Sequence, residues 1–136
     1  MNPVTIETII KAPLSKVWEY WNEPKHIEQR AFASDEWEAS DAVNDLRVGS
    51  KLKTRMSAKD KSAGFDFVGT YTKVQENKLL EYDLDDGRHV KVEFIEYPGE
   101  VKVIQMFDAE NENSIAFQRS GWQAILDNFK KHVENM

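Results

Sequence analysis

From Ser114 to Val133 apolar residues fall at Ile115, Trp122, Ile125, Leu126, Phe129 and Val133, and from Trp122 onward they stand at i, i+3, i+4, i+7 and i+11. That is one stripe on a helix of 3.6-residue period. Arg119, Gln123, Asp127, Asn128, Lys130 and Lys131 occupy the opposite side. Asn111-Glu112-Asn113-Ser114 supplies a cap, and a helix of about twenty residues is roughly 30 Å long. Almost everything between residues 35 and 108 reads as strand. One long amphipathic helix at the end of a mostly antiparallel sheet must lay its stripe on that sheet. A curved sheet around a single helix readily leaves a hollow between the two. Gly121 costs this helix about 1 kcal/mol relative to alanine, which is expected where the backbone passes close to the sheet or to a ligand.

The upstream elements follow from the same kind of patterning. Val4 to Ile10 alternates and predicts a strand. Pro13 ends it and opens a short helix, Leu14 to Trp21, with Leu14, Val17, Trp18 and Trp21 at helical spacing. Pro24 allows a second short helix to Gln29. Strands are predicted over Ser34 to Ala39, Ser50 to Ala58, Phe65 to Val74, Leu79 to Leu84, Arg88 to Glu96 and Val101 to Phe107. Asp85-Asp86-Gly87 and Tyr97-Pro98-Gly99-Glu100 are hairpin turns. Gly69 inside its strand predicts a bend or bulge. The order is a strand, two short helices, six strands in hairpins and one long helix, an α+β arrangement around an antiparallel sheet. At 136 residues the whole chain, 1–136, is expected to form one domain.

Composition excludes several functions. A net charge of −6 argues against general nucleic-acid binding, which wants a basic surface. Zero cysteines remove disulfides, thiolate metal sites and cysteine nucleophiles. Met1 to Ile10 alternates instead of running apolar, and no stretch approaches the ~18 apolar residues of a membrane span. A soluble cytoplasmic protein, monomeric or weakly homodimeric, is the expectation. His26, His89 and His132 are not spaced as metal ligands, so neither metal nor cofactor is expected. No nucleophile elbow or phosphate-cradling glycine loop occurs, and the carboxylate pairs fall at turns or on strands with a wet face. No catalytic residue is assigned.

The chain resembles the START-like, or Bet v 1-like (SRPBCC), helix-grip proteins. Within them it is similar to the branch named for the activator of the heat-shock protein 90 ATPase. The resemblance rests on Ile9-Ile10-Lys11-Ala12-Pro13-Leu14-Ser15-Lys16-Val17-Trp18, Trp21-Asn22-Glu23-Pro24, Asn44-Asp45-Leu46-Arg47-Val48-Gly49, Gly69-Thr70-Tyr71 and Gly121-Trp122-Gln123-Ala124-Ile125-Leu126-Asp127-Asn128-Phe129. It covers essentially the whole chain. It implies a helix-grip fold with the long helix across a curved sheet. It also implies a cavity between them of the kind that holds lipids, sterols or polyketides in similar proteins. Co-chaperones of the branch carry an additional amino-terminal domain, and this chain starts at its first strand, so the shared domain alone is expected.

Aromatic residues make up 11% of the chain, with four Trp. Most should fill the core. Those expected to line a cavity are Trp18, Trp21, Trp37, Phe67, Tyr82, Phe94, Trp122 and Phe129, joined by Met56, Ile125 and, at the mouth, His26. Gln105 would add one polar contact, since an apolar pocket usually holds only a few. Two functions follow: non-catalytic binding of an apolar or aromatic small molecule, or a co-chaperone-like protein-interaction module. A binder hides its apolar residues in a pocket, and an interaction module exposes them as a patch.

Overall fold

A computed structural model describes residues 2–32 and 34–135. Alternation sets the sheet. β1 (Asn2–Ile10) buries Val4, Ile6 and Ile10, and β3 (Lys51–Ala58) buries Leu52, Thr54 and Ala58. β5 (Leu79–Leu84) buries Leu80, Tyr82 and Leu84, and β6 (His89–Tyr97) buries Val90, Val92 and Phe94. β7 (Glu100–Ala109) buries Val101, Val103, Gln105 and Phe107. With β2 (Trp37–Asn44) and β4 (Gly64–Gln75) they form a curled, seven-stranded antiparallel sheet in the order β1-β7-β6-β5-β4-β3-β2. The first strand closes on the last, with Ile6 opposite Gln105 and Val4 opposite Phe107. At the β5–β6 turn Gly87 has φ 90°, a conformation only glycine adopts without strain.

α1 (Leu14–Asn22) and α2 (Pro24–Ile27) follow β1, and α3 (Ile115–Glu134) ends the fold. This is the α+β helix-grip architecture. Ser114 caps α3, its hydroxyl accepting from the Phe117 backbone N–H at 3.1 Å. Gln118 closes the preceding loop, accepting from Glu110 N–H at 2.8 Å and donating to the Asn113 carbonyl at 2.8 Å. The apolar stripe holds where it matters most: Leu126, Phe129 and Val133 are fully buried, Trp122 and Ile125 half-buried. Ile115, read as part of the stripe, is exposed.

The polar side of α3 is not simply a wet face. α3 runs along β1, the edge of the sheet. Arg119 donates to the Thr5 carbonyl at 2.8 Å, Gln123 to Glu7 at 3.3 Å and Lys130 to Ile9 at 2.6 Å. These bonds cap backbone acceptors that an edge strand leaves free.

Two other expectations are corrected. The strand placed over Ser34 to Ala39 is Trp37–Asn44 instead. Its register shifts between Ser40 and Val43, with Asp41 at φ 51°, so a bulge carries the strand through polar residues that read as its end. Gly69 marks no bulge, since the irregularity in β4 lies between Tyr71 and Lys73. A Cβ at Gly69 would stand 2.6 Å from Tyr82 Cδ2, so the Tyr82 ring needs that glycine to lie flat on β4.

Candidate functional site

Because α3 follows the β1 edge, the opposite half of the curled sheet faces it across a gap. That gap is a cavity of about 210 Å³. β3 contributes Leu52, Thr54 and Met56 to its wall, β4 Phe65 and Phe67, and β5 Tyr82. α3 supplies Trp122 and Ile125. Trp21 closes the end nearest α1, with Ile27, Arg30 and Ala31 from α2 and the segment after it. Gln105 from β7 and Arg88 from the β5–β6 turn complete the lining. The volume exceeds the ~150 Å³ that accepts benzene in an apolar core and falls below the ~300 Å³ at which drug-sized sites begin.

The walls are held by aromatic packing. The Trp122 ring stacks on Phe107 at 4.2 Å between centroids, nearly parallel, and meets Phe67 edge-on at 6.2 Å. Tyr82 packs edge-on against Phe67 at 6.4 Å and Tyr71 at 5.8 Å. The Tyr71 hydroxyl donates to Asn44 Oδ1 at 2.6 Å, and Asn44 Nδ2 donates to the Asn22 carbonyl at 2.8 Å. Asn22 in turn donates to the Trp18 carbonyl at 2.9 Å. These bonds tie β4 and β2 to α1, and all four of their residues, Tyr71, Asn44, Asn22 and Trp18, lie in the motifs that carry the family resemblance.

Six of the eleven residues expected at a cavity, Trp21, Met56, Phe67, Tyr82, Trp122 and Ile125, come together on its wall, as does Gln105. Trp18, Phe94 and Phe129 do not. Trp18 meets Phe94 at 5.2 Å and Trp21 meets Phe129 at 4.8 Å, so these rings fill the core under α1 and α3 and close the cavity from that side. Trp37 lies outside, 6.1 Å from Phe65. His26 is not at the mouth either. Its Nδ1 stands 2.8 Å from His132 Nε2, and its ring stacks on Tyr20 at 3.7 Å. Gly121 lies off the lining, and a Cβ there would meet nothing within 4 Å, so no close approach to the sheet explains it.

Leu52 and Thr54 share an alternating face with Met56, so the two-residue period of the strand is the signal that puts them beside it. Arg30 is different, because nothing in the sequence marks a charged residue after a short helix as interior. It is 8% exposed. Its Nη2 donates to the Trp21 carbonyl at 3.0 Å, and its guanidinium carbon lies 4.1 Å over the Trp21 ring. Burial brings its pKa down to about 10, so it is charged at neutral pH. Burial also pushes the Tyr82 phenol up to about 12, keeping it a neutral hydroxyl beside Gln105.

Among the described residues no group of three or more His, Cys, Asp or Glu is placed to hold a metal ion. No described helix is long and apolar enough to cross a membrane.

A family model described as activator of Hsp90 ATPase homolog 1-like protein matches residues 11–134. No curated protein matches the chain at a significant level. The solution structure of the AHSA1-like protein from Aeromonas hydrophila superposes with a TM-score of 0.91 at 44% identity, covering 98% of this chain and 92% of that one. A solution structure from Cytophaga hutchinsonii gives a TM-score of 0.85 at 44% identity, covering 99% of this chain and 94% of that one. A crystal structure from Chromobacterium violaceum shares the fold at 16% identity, with a TM-score of 0.85 and coverage of 98% and 99%.

Proposed function

This chain belongs to the activator of Hsp90 ATPase homolog 1-like family, and from that premise and its cavity we propose that it binds a compact apolar or aromatic small molecule without transforming it. The observation that carries this is the gap of about 210 Å³ between α3 and the far half of the sheet, walled by Trp21, Phe67, Tyr82 and Trp122. Its size favours one or two rings over a sterol or a long acyl chain. Thr54 and Gln105 supply neutral polar groups of the kind that orient a ligand in such a site.

The test titrates toluene, indole, naphthalene, palmitate and cholesterol against the protein, following tryptophan fluorescence and melting temperature. Trp21 and Trp122 would report occupancy directly. The ring compounds are expected to saturate and, at a hundredfold excess over Kd, to stabilise the fold by roughly 2.7 kcal/mol. Ile125→Phe, which pushes a larger ring into the gap, should remove the response while the far-UV spectrum is kept.

A co-chaperone-like interaction module is the second reading, favoured by Ile115 and Phe117, which stand 41% and 67% exposed on the first turn of α3. If no compound moves either signal, that reading takes precedence.

A further inference from the structure

The charges around the cavity run against the charge of the protein. The chain carries a net −6, yet the lining holds two arginines and no carboxylate. Arg88 is already neutralised, its Nε 2.8 Å from Asp86 Oδ2. Arg30 is not. Among the described residues none of the ion pairs includes it, and the ionisable groups near it are the phenols of Tyr82 and Tyr71 and the imidazole of His132, none of which supplies a negative charge at neutral pH. Its Nε is buried and has no hydrogen-bond partner among the described residues. The Trp21 face, and the Phe129 face at 5.6 Å, offset part of the cost of burying this cation. They supply no counter-charge, and an unpaired buried charge is strongly unfavourable.

Resting on the ligand-binding reading above, we propose that the ligand is a compact organic anion, a single-ring aromatic carboxylate, whose carboxylate pairs with the Arg30 guanidinium while its ring lies between Trp122, Phe67 and Tyr82. A planar guanidinium matches a planar carboxylate in shape and can donate two parallel N–H···O bonds to it. Held by the Trp21 carbonyl and stacked on the Trp21 ring, Arg30 is pre-positioned, so little order is lost on pairing. A cationic ligand would face the unpaired Arg30 guanidinium with no carboxylate in the lining to offset it. A neutral ligand would leave Arg30 as it is.

The experiment compares three probes of one shape: 4-ethylbenzoate, 4-ethylbenzamide and 4-ethylbenzylamine, each titrated by calorimetry at pH 7 against the unaltered protein. The acid is expected to bind about tenfold or more tighter than the amide, and the amine not to bind. Arg30→Met should bring the acid to the level of the amide. The acid–amide comparison stands whether or not that variant folds. Equal affinity of amide and acid, or an undiminished preference for the acid in a folded Arg30→Met protein, overturns the anion inference and leaves the cavity reading standing. Binding of none of the three, with toluene and indole also silent, overturns both.

Discussion

The pair His26–His132 couples α1 and α2 to the far end of α3 through one contact. With His26 Nδ1 at 2.8 Å from His132 Nε2, one nitrogen donates and the other accepts, so at least one ring must be neutral. Tyr20 covers both rings, at 3.7 Å from His26 and 5.6 Å from His132. The charged groups around them are Glu23, with Oε2 4.0 Å from His26 Nε2, then Glu19 and Lys25 on the His26 side and Lys16 and Arg30 on the His132 side. Burial is the main reason that both pKa values lie below the ordinary 6.5, and for His132 the neighbouring His26 adds to it. The unfolded chain therefore takes up protons that the folded one resists. The pair's stabilisation is fully present above pH ~6.5 and is lost as pH falls through the folded values. His89, between Asp83 at 2.6 Å and Glu81 at 2.8 Å, has the opposite sign: its pKa is raised, and its contribution is lost as pH rises. Urea midpoints from pH 8 to pH 5 should therefore fall more steeply in the parent than in His132→Asn, since His89 is common to both. Parallel profiles would show that the pair carries no protonation penalty.

α3 shows how far sequence reasoning reaches at the scale of an element. The stripe through Leu126, Phe129 and Val133 was legible because burial repeats at a fixed period. The roles of Arg119, Gln123 and Lys130 were not, because their acceptors are backbone carbonyls of β1 and leave no mark in composition. The bulge in β2 was hidden for a related reason: an edge strand tolerates the polar residues that elsewhere end one. Aromatic content pointed to a cavity, yet only contact geometry separates Trp122 on its wall from Phe129 in the filled core. Arg30 was illegible outright, since a buried charge contradicts the rule by which charges are read as surface. Gly121 was assigned a steric reason that the structure removes, as a Cβ there meets nothing within 4 Å. Gly121→Ala should therefore stabilise the protein by about 1 kcal/mol through helix propensity alone. A urea midpoint that drops instead would mean that the glycine serves a conformation other than this helix.

Taken over the whole molecule, α3 divides its work by position. Its second half seals the fold: Leu126, Phe129 and Val133 are fully buried, Lys130 bonds the Ile9 carbonyl, and Glu134 accepts from the Lys11 backbone N–H at 2.8 Å. The stretch before Leu126 stands over the gap, where Trp122 and Ile125 are only half-buried. A sheet that curls away from a straight helix cannot meet both halves equally, so packing is complete at one end and open at the other. Stability and binding should consequently separate along the helix. Phe129→Ala removes a ring with no exposure that packs on Trp21 at 4.8 Å, and it should cost roughly 3–5 kcal/mol. Trp122→Ala removes a half-buried ring and its stack on Phe107, and it should cost less, roughly 1–3 kcal/mol. The order reverses for ligand. Without Trp122 the gap loses a wall and the aromatic probes should lose most of their affinity. A Phe129→Ala protein held folded by a stabilising osmolyte should keep binding within a few-fold. Paired urea titrations and calorimetry on the two variants decide it. A loss under 1 kcal/mol for Phe129→Ala would place that ring outside the core, and retained affinity in Trp122→Ala would move the ligand away from α3.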